Sequence, residues 1–311
     1  MKQAYLFVHF KEKETPDGEQ VYFALSQDGF HWEEVNGGNP ILTSTIGEEG
    51  VRDFTICRTE EGIYYILATD LSLARNFKTK YKNSWKEVSR NGSRTLVLWQ
   101  STDLVQWSSP RMIRFGEEPF GCVWAPDIIK DEKQGDYLIH WSSSHPSNNY
   151  GPKKIYYVRT KDFEHFSEPA VLYEKEGSDI IDSAMYEENG RYYLFVKCEH
   201  NPATILLLES DRITGPFALV PAFLNEMAKL EQGQYEAPTA FRTEEGRWCL
   251  FLDYYGTVKE KQGYVPFISD QLSTGQFIRS DESFSFPYGF KHGTVLTLSQ
   301  TEYDRLKNAD F

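Results

Sequence analysis

The sequence predicts an all-β fold, a five-bladed β-propeller closed by strands from both termini. Three observations carry this expectation. Apolar, β-branched and aromatic runs recur along the chain, separated by Gly, Asp and Ser turns. A two-part unit, each part a pair of strands, occurs four times. The glycines in its first turn, Gly62, Gly135, Gly190 and Gly246, are spaced 73, 55 and 56 residues apart. A period near ~50 residues with four strands per unit is the pattern of propeller blades.

The elements follow in order. Residues 4–10 and 21–25 are β-rich, and Ser26-Gln27-Asp28-Gly29 turns the chain into Phe30-His31-Trp32. The first part of the repeat is an acidic residue, an apolar strand, a glycine turn and an aromatic strand. It begins at Asp53, Asp127, Asp182 and Glu236, and its aromatic strands include Tyr64-Tyr65, Tyr137, Tyr192-Tyr193 and Trp248. The second part is an apolar strand, a turn containing Asp103, Asp162, Asp211 or Asp270, and then an aromatic residue. Trp99 and Trp107 fall where blades pack. Four such units leave residues 4–26 and 292–298 without partners, and together these make the fifth blade. The longer first interval holds a polar, Lys-rich insertion at 76–94, expected as a surface loop. Helical pattern is confined to 225–232 and 301–308. An array of sandwich domains would give no reason for an acidic residue on each first strand, so residues 1–311 are expected as one propeller domain.

Composition narrows the partners. With 33 basic and 46 acidic residues the net charge is −13, which argues against nucleic acid and against an anionic membrane surface. An aromatic content of 15% suits sugar binding, where flat rings cover the apolar faces of the sugar. The apolar run near the N-terminus is short and soon meets Lys11, Glu12 and Lys13, unlike a secretion signal. No run of about 20 apolar residues occurs, and the cytoplasm is the expected location. Cys57, Cys122, Cys198 and Cys249 lie far apart in apolar contexts and read as free thiols without metal-ligand spacing.

In a propeller the first strand of each blade lines the central channel, so Asp53, Asp127, Asp182 and Glu236 are expected to converge there. Converging carboxylates raise one another's pKa, an arrangement with little structural benefit. Glycoside hydrolysis uses it, with one protonated acid for the leaving oxygen and one ionised base for water.

At these residues the chain resembles glycoside hydrolase family 43, five-bladed propellers that include arabinofuranosidases, xylosidases and arabinanases. Arg52-Asp53-Phe54-Thr55-Ile56 resembles the segment of the family's general base, with Phe54 where proline is usual. Ile181-Asp182-Ser183-Ala184 resembles the motif of the Asp that orients the acid and tunes its pKa, again without proline. Glu236-Ala237-Pro238 resembles the Glu-(Gly/Ala)-Pro motif of the general acid. The resemblance therefore implies Asp53 as base, Asp182 as modulator, and Glu236 as an acid kept protonated by burial and neighbouring carboxylates. Val123-Trp124-Ala125-Pro126-Asp127 is similar to a Trp-Ala-Pro-Asp signature that supports the sugar, which implies a substrate contact at Trp124 and a substrate-contacting or structural role, not proton donation, for Asp127. Lys291-His292-Gly293-Thr294 is similar to a late His-Gly element, whose histidine reaches the channel and in some members orders a cation or water.

Phe54 and Trp141 are further substrate-side candidates. No cofactor is required by this reading, and a structural calcium or sodium ion in the channel is the possible addition. The implied chemistry is inverting hydrolysis, with base and acid about 6.5–9.5 Å apart. Expected substrates are short arabinose- or xylose-containing oligosaccharides attacked from one end, α-L-arabinofuranosides first and β-xylosides next. A β-D-galactofuranosidase and a non-catalytic carbohydrate-binding propeller are the alternatives. Oligomeric state is not legible.

Overall fold

The computed structural model describes the chain apart from residues 1–2, 12–14, 118, 232–233, 257–261 and 288. Its strands form five antiparallel four-stranded sheets. The chain opens with β1 (Gln3–Lys11), β2 (Tyr22–Ser26) and β3 (Glu33–Glu34). The next blade is β4 (Val51–Arg58), β5 (Tyr64–Asp70), β6 (Leu96–Ser101) and β7 (Arg111–Ile113). It is followed by β8 (Trp124–Asp131), β9 (Asp136–Ser143), β10 (Lys154–Thr160) and β11 (Ala170–Tyr173). Then come β12 (Ile180–Glu188), β13 (Arg191–Cys198), β14 (Thr204–Ser210) and β15 (Ala218–Leu219). A further blade holds β16 (Gln234–Arg242), β17 (Trp248–Tyr255), β18 (Gly263–Ser269) and β19 (Ile278–Arg279).

Finally β20 (Phe290–Ser299) pairs with β1, from Gln3↔Ser299 to Lys11↔Phe290, and completes the first blade from both ends of the chain. The ring closes by main-chain hydrogen bonds, which leaves no open sheet edge at the seam. The innermost strands β4, β8, β12, β16 and β20 touch in a ring, each against its neighbours. The turn glycines Gly62, Gly135, Gly190 and Gly246 all have positive φ, between 63° and 82°, as the hairpins joining first and second strands require. Apolar side chains fill the spaces between blades, as where Phe195 and Leu207 pack with Leu250. Trp99 is buried in such a layer and Trp107 packs against it.

The insertion at 76–94 is not a loop. It is bracketed by α1 (Leu73–Asn76) and contains α2 (Trp85–Asn91), with Tyr81 and Val88 fully buried beneath it. Its polar surface composition hides two buried anchors, which is why the pattern read as a loop. The pattern at 225–232 is realised earlier, as α3 (Pro221–Met227), because Pro221 is pre-set for a first helical turn; Gln232 lies outside the described residues. The last helix, α4 (Gln300–Lys307), starts with a capping box between Ser299 and Glu302. Arg58 donates from Nη1 to Glu302 Oε1 at 2.8 Å, tying the closing blade to its neighbour.

One irregularity is common to every inner strand. The pairing slips between Arg52 and Thr55, Trp124 and Asp127, Ile181 and Ala184, and Glu236 and Thr239. In β20 it slips between Lys291 and Thr294, opposite Val8 and Phe10. Each slip is a β-bulge, in which an extra residue bends the strand and re-aims a side chain. Asp53, Ala125, Asp182 and Ala237 adopt φ of 52°, 48°, 50° and 53° there. A left-handed conformation costs a non-glycine residue about 1–2 kcal/mol, so its recurrence at one height of the ring marks a place where backbone geometry is held by its surroundings. In β20 the bulge contains Gly293, where an added Cβ would lie 1.8 Å from the Val8 carbonyl oxygen.

Candidate active site

The bulges put the ring in register. Arg52, Trp124, Ile181, Glu236 and Lys291 precede the bulge, and Asp53, Ala125, Asp182, Ala237 and His292 open it. A cleft of about 1370 Å³ is lined by all five of the preceding residues and by Asp53, Asp182 and His292. The two opening residues missing from that lining are alanines. Thus Asp53 and Asp182 occupy equivalent positions, Glu236 stands one residue earlier, and Asp127 two residues later. The four acidic residues are not a single phased set.

Charge pairing distinguishes the carboxylates. Asp53 Oδ1 lies 3.2 Å from His292 Nδ1. Glu236 Oε2 lies 3.3 Å from Lys197 Nζ, which also meets Glu199 Oε1 at 3.2 Å and bonds the Tyr255 hydroxyl. Asp253 Oδ2 pairs with Lys291 Nζ at 2.5 Å. Asp182 is different: among the described residues no cation sits within ion-pair distance of it. Its Oδ2 accepts from the Ala237 amide at 3.3 Å, and its own amide donates to Ser142 Oγ at 3.2 Å.

These surroundings set the protonation states. Burial pushes the Asp182 carboxyl up to about 6, assisted by Glu236 and Asp53 and opposed by His292 and Lys197. Asp253 also rises to about 6 through burial, moderated by Lys291. Burial alone would raise Asp53, but the His292 charge and hydrogen bond, Arg52 and the Thr69 hydroxyl more than offset it, and its carboxyl is held below the ordinary value. Burial would lower His292, yet Asp53, Asp182 and Glu236 together push it up to about 9. At neutral pH the cleft therefore pairs an ionised Asp53 with a cationic His292.

The sign for stability follows by linkage. Raised Asp182 costs the folded state nothing below its ordinary 3.8, and the cost is complete above about 6. Raised His292 stabilises fully below 6.5, and that contribution is lost as pH climbs through about 9.

Of the sequence-derived candidates, Asp53, Asp182, Glu236, Trp124 and His292 meet at this cleft. Three others do not line it. Phe54 is 1% exposed and packs in the layer between blades, because the bulge turns Asp53 inward and sends the next side chain away. Trp141 has no exposed surface; it stacks on Phe115 at 4.5 Å and donates from Nε1 to Ser143 Oγ at 2.8 Å. Asp127 lies beneath the bulge and accepts from Thr55 Oγ1 at 3.1 Å and the Met185 amide at 2.9 Å, with His140 Nε2 3.4 Å away. It joins β4, β8 and β12, a structural staple rather than a sugar contact.

The expected environment of Glu236 also needs correction. Its immediate partner is the Lys197 ammonium, and burial raises the carboxyls of Asp182 and Asp253. Lys197 and Asp253 were missed by sequence reasoning. Both sit on second strands, opposite Ile181 and Glu236 in register, and both are buried. A charged residue closing the apolar runs Tyr192–Val196 and Trp248–Leu252 was the available signal. Arg52 was quoted only as part of a motif. It lies 3.5 Å from Glu19, covers Phe10 and borders the cleft.

Among the described residues no three His, Cys, Asp or Glu groups converge to hold a metal. No helix among the described residues is long and apolar enough to cross a membrane.

Comparison with known proteins gives the family and the fold. Residues 1–304 match a family, related to glycoside hydrolase family 43, that is described as a probable glycosyl hydrolase domain. An alpha-L-arabinofuranosidase of Bifidobacterium longum subsp. longum is 28% identical over 235 residues, covering 66% of this chain and 21% of that protein. The chain thus spans about a fifth of the length of this curated relative. An exo-1,5-alpha-L-arabinanase from a bovine ruminal metagenomic library has a TM-score of 0.61 at 16% identity, over 90% of this chain and 93% of that one. An alpha-L-arabinanase of Cellvibrio cellulosa, solved with arabinohexaose, has a TM-score of 0.59 at 16% identity, over 91% and 93%. At such identities the two structures speak for the fold.

Proposed function

This chain belongs to glycoside hydrolase family 43, and from that premise we propose that it is an inverting, exo-acting hydrolase of arabinose-containing oligosaccharides. The observation that carries the reading is the meeting of Asp53, Asp182 and Glu236 in one cleft, each with a different charge environment. α-L-Arabinofuranoside is preferred over β-xyloside because the curated relative is an arabinofuranosidase and two fold neighbours are arabinanases.

In the proposed reaction Asp53, ionised beside His292, takes a proton from water as the water oxygen bonds to the anomeric carbon. The bond from that carbon to the glycosidic oxygen breaks, and Glu236 supplies the proton that the leaving oxygen needs. Lys197, itself held by Glu199 and Tyr255, fixes where the Glu236 carboxyl points. Asp182 keeps a proton until pH rises past about 6, and its charge then bears on Glu236 and His292. The reaction so written draws on no cofactor.

A screen on aryl α-L-arabinofuranoside, β-D-xyloside and β-D-galactofuranoside tests the reading. The arabinofuranoside should be hydrolysed with the highest kcat/KM, and NMR of the first product should show the inverted anomer. A retained anomer, or no turnover of any of the three, would overturn it.

The pH profile supplies a second check. His292 holds Asp53 in its ionised form, so without that cation the base ionises only at higher pH. In His292→Asn the acidic limb of kcat/KM should move upward by about one unit, since a close opposite charge lowers a carboxyl by ~1–3 units. An unmoved limb would remove Asp53 from the role of base.

A further inference from the structure

The insertion between β5 and β6 builds one wall of the catalytic cleft. Leu73, Ala74, Phe77, Trp85 and Ser89 border the same space as Asp53 and Glu236. Trp85, the first residue of α2, is 53% exposed. Among the described residues it is the only exposed Phe, Tyr or Trp. A single exposed apolar residue is ordinary on a surface; this one faces a cleft, on a support that is firmly held.

The support can be traced bond by bond. Tyr81 is fully buried and its hydroxyl bonds the Glu48 carboxylate. Ser84 Oγ caps α2 by accepting from the Glu87 amide at 3.3 Å. The Gly92 amide donates to the Gly121 carbonyl at 2.9 Å, and Ser144 Oγ donates to the Ser89 carbonyl. Trp85 meets Trp124 edge-on, with centroids 6.3 Å apart and planes at 83°, and Phe77 at 5.5 Å. Lys153 lies 5.2 Å from the centre of the Trp124 ring, so Trp124 already carries a cation on its face. Trp85 keeps the more open ring.

We propose that Trp85, backed by Phe77, is a binding platform for a neutral sugar ring on the leaving-group side of the scissile bond. This rests on the exo-hydrolase reading above: an exo enzyme holds one terminal sugar at the catalytic carboxylates, so any further sugar bound in the same cleft belongs to the leaving group. A flat, fixed aromatic matches the apolar CH face of such a ring at little cost in side-chain entropy. The chain's affinity then depends on substrate length through a residue that the propeller itself does not supply.

Calorimetric titration of the Glu236→Gln protein tests the platform without turnover. The ligands are arabinose, α-1,5-linked arabinobiose and arabinotriose, with xylose, xylobiose and xylotriose as a second series. Binding should tighten on the order of tenfold from one sugar to three. In Glu236→Gln/Trp85→Ala the same extension should bring about twofold or less, and Glu236→Gln/Trp85→Phe should recover part of the gain. If the arabinose series tightens equally with and without Trp85, the platform is wrong while the arabinoside reading stands. If only the xylose series binds, and its length dependence needs Trp85, the platform stands and the choice of arabinose falls. If no ligand binds, both are overturned.

Discussion

Replacing Glu236 by Gln is expected to lower kcat on arabinofuranosyl oligosaccharides by about 10²–10⁴-fold, the usual contribution of general acid catalysis. A sugar alkoxide is a poor leaving group, and the bond to it breaks only if a proton arrives as it departs. A dinitrophenyl glycoside departs as a stable anion, and with it the same variant should fall by no more than about tenfold. The dependence on leaving group is the diagnostic measurement. Gln preserves the shape and retains an oxygen for Lys197, 3.3 Å from Glu236 Oε2 in the native chain. Equal losses on both substrates would mean that Glu236 does something other than protonate the leaving oxygen.

Asp53→Asn should lower the rate by about 10²–10⁴-fold for good and poor leaving groups alike, because the attacking water needs the base whichever group departs. Asn suits the test because Asp53 has φ of 52°, a conformation that Asn tolerates better than most residues. Asp53→Gly serves the complementary experiment: glycine relieves the left-handed strain and opens space beside His292. Azide added to that variant should restore turnover and yield a glycosyl azide with inverted configuration, observable by NMR. A retained azide product would place the nucleophile on the other face of the sugar and exclude Asp53 as base. Thermal unfolding of both variants separates loss of chemistry from loss of fold.

How much of this was legible differs from residue to residue. The hairpin glycines, the Ser/Thr–Asp turns and the paired terminal strands are local or periodic signals, and the blades were visible through them. Asp28, Asp103 and Asp162 illustrate why: each accepts from two backbone amides two and three residues further along, a pattern complete within one turn. Asp53, Asp182 and Glu236 were legible through short motifs around them. Phe54, Trp141 and Asp127 were misplaced because their surroundings are set by which way a bulged strand turns, and a one-residue change in register sends a side chain to the other face. The anchors of the insertion were hidden for a similar reason, since Tyr81 finds Glu48 only once β4 and β5 are folded.

The amino-acid sequence alone determined the five blades, the strand exchange that closes them and the three carboxylates to mutate, because periodicity and turn chemistry act over a few residues. Only the tertiary structure decided how those carboxylates differ. Cross-blade pairs such as Asp53–His292 and Glu236–Lys197 join residues 239 and 39 positions apart. Burial, with no cation at ion-pair distance among the described residues, raises the Asp182 carboxyl to about 6, and an inserted helix sets Trp85 at the edge of the cleft. Each is a matter of distance and dielectric around a ring, which no stretch of sequence contains.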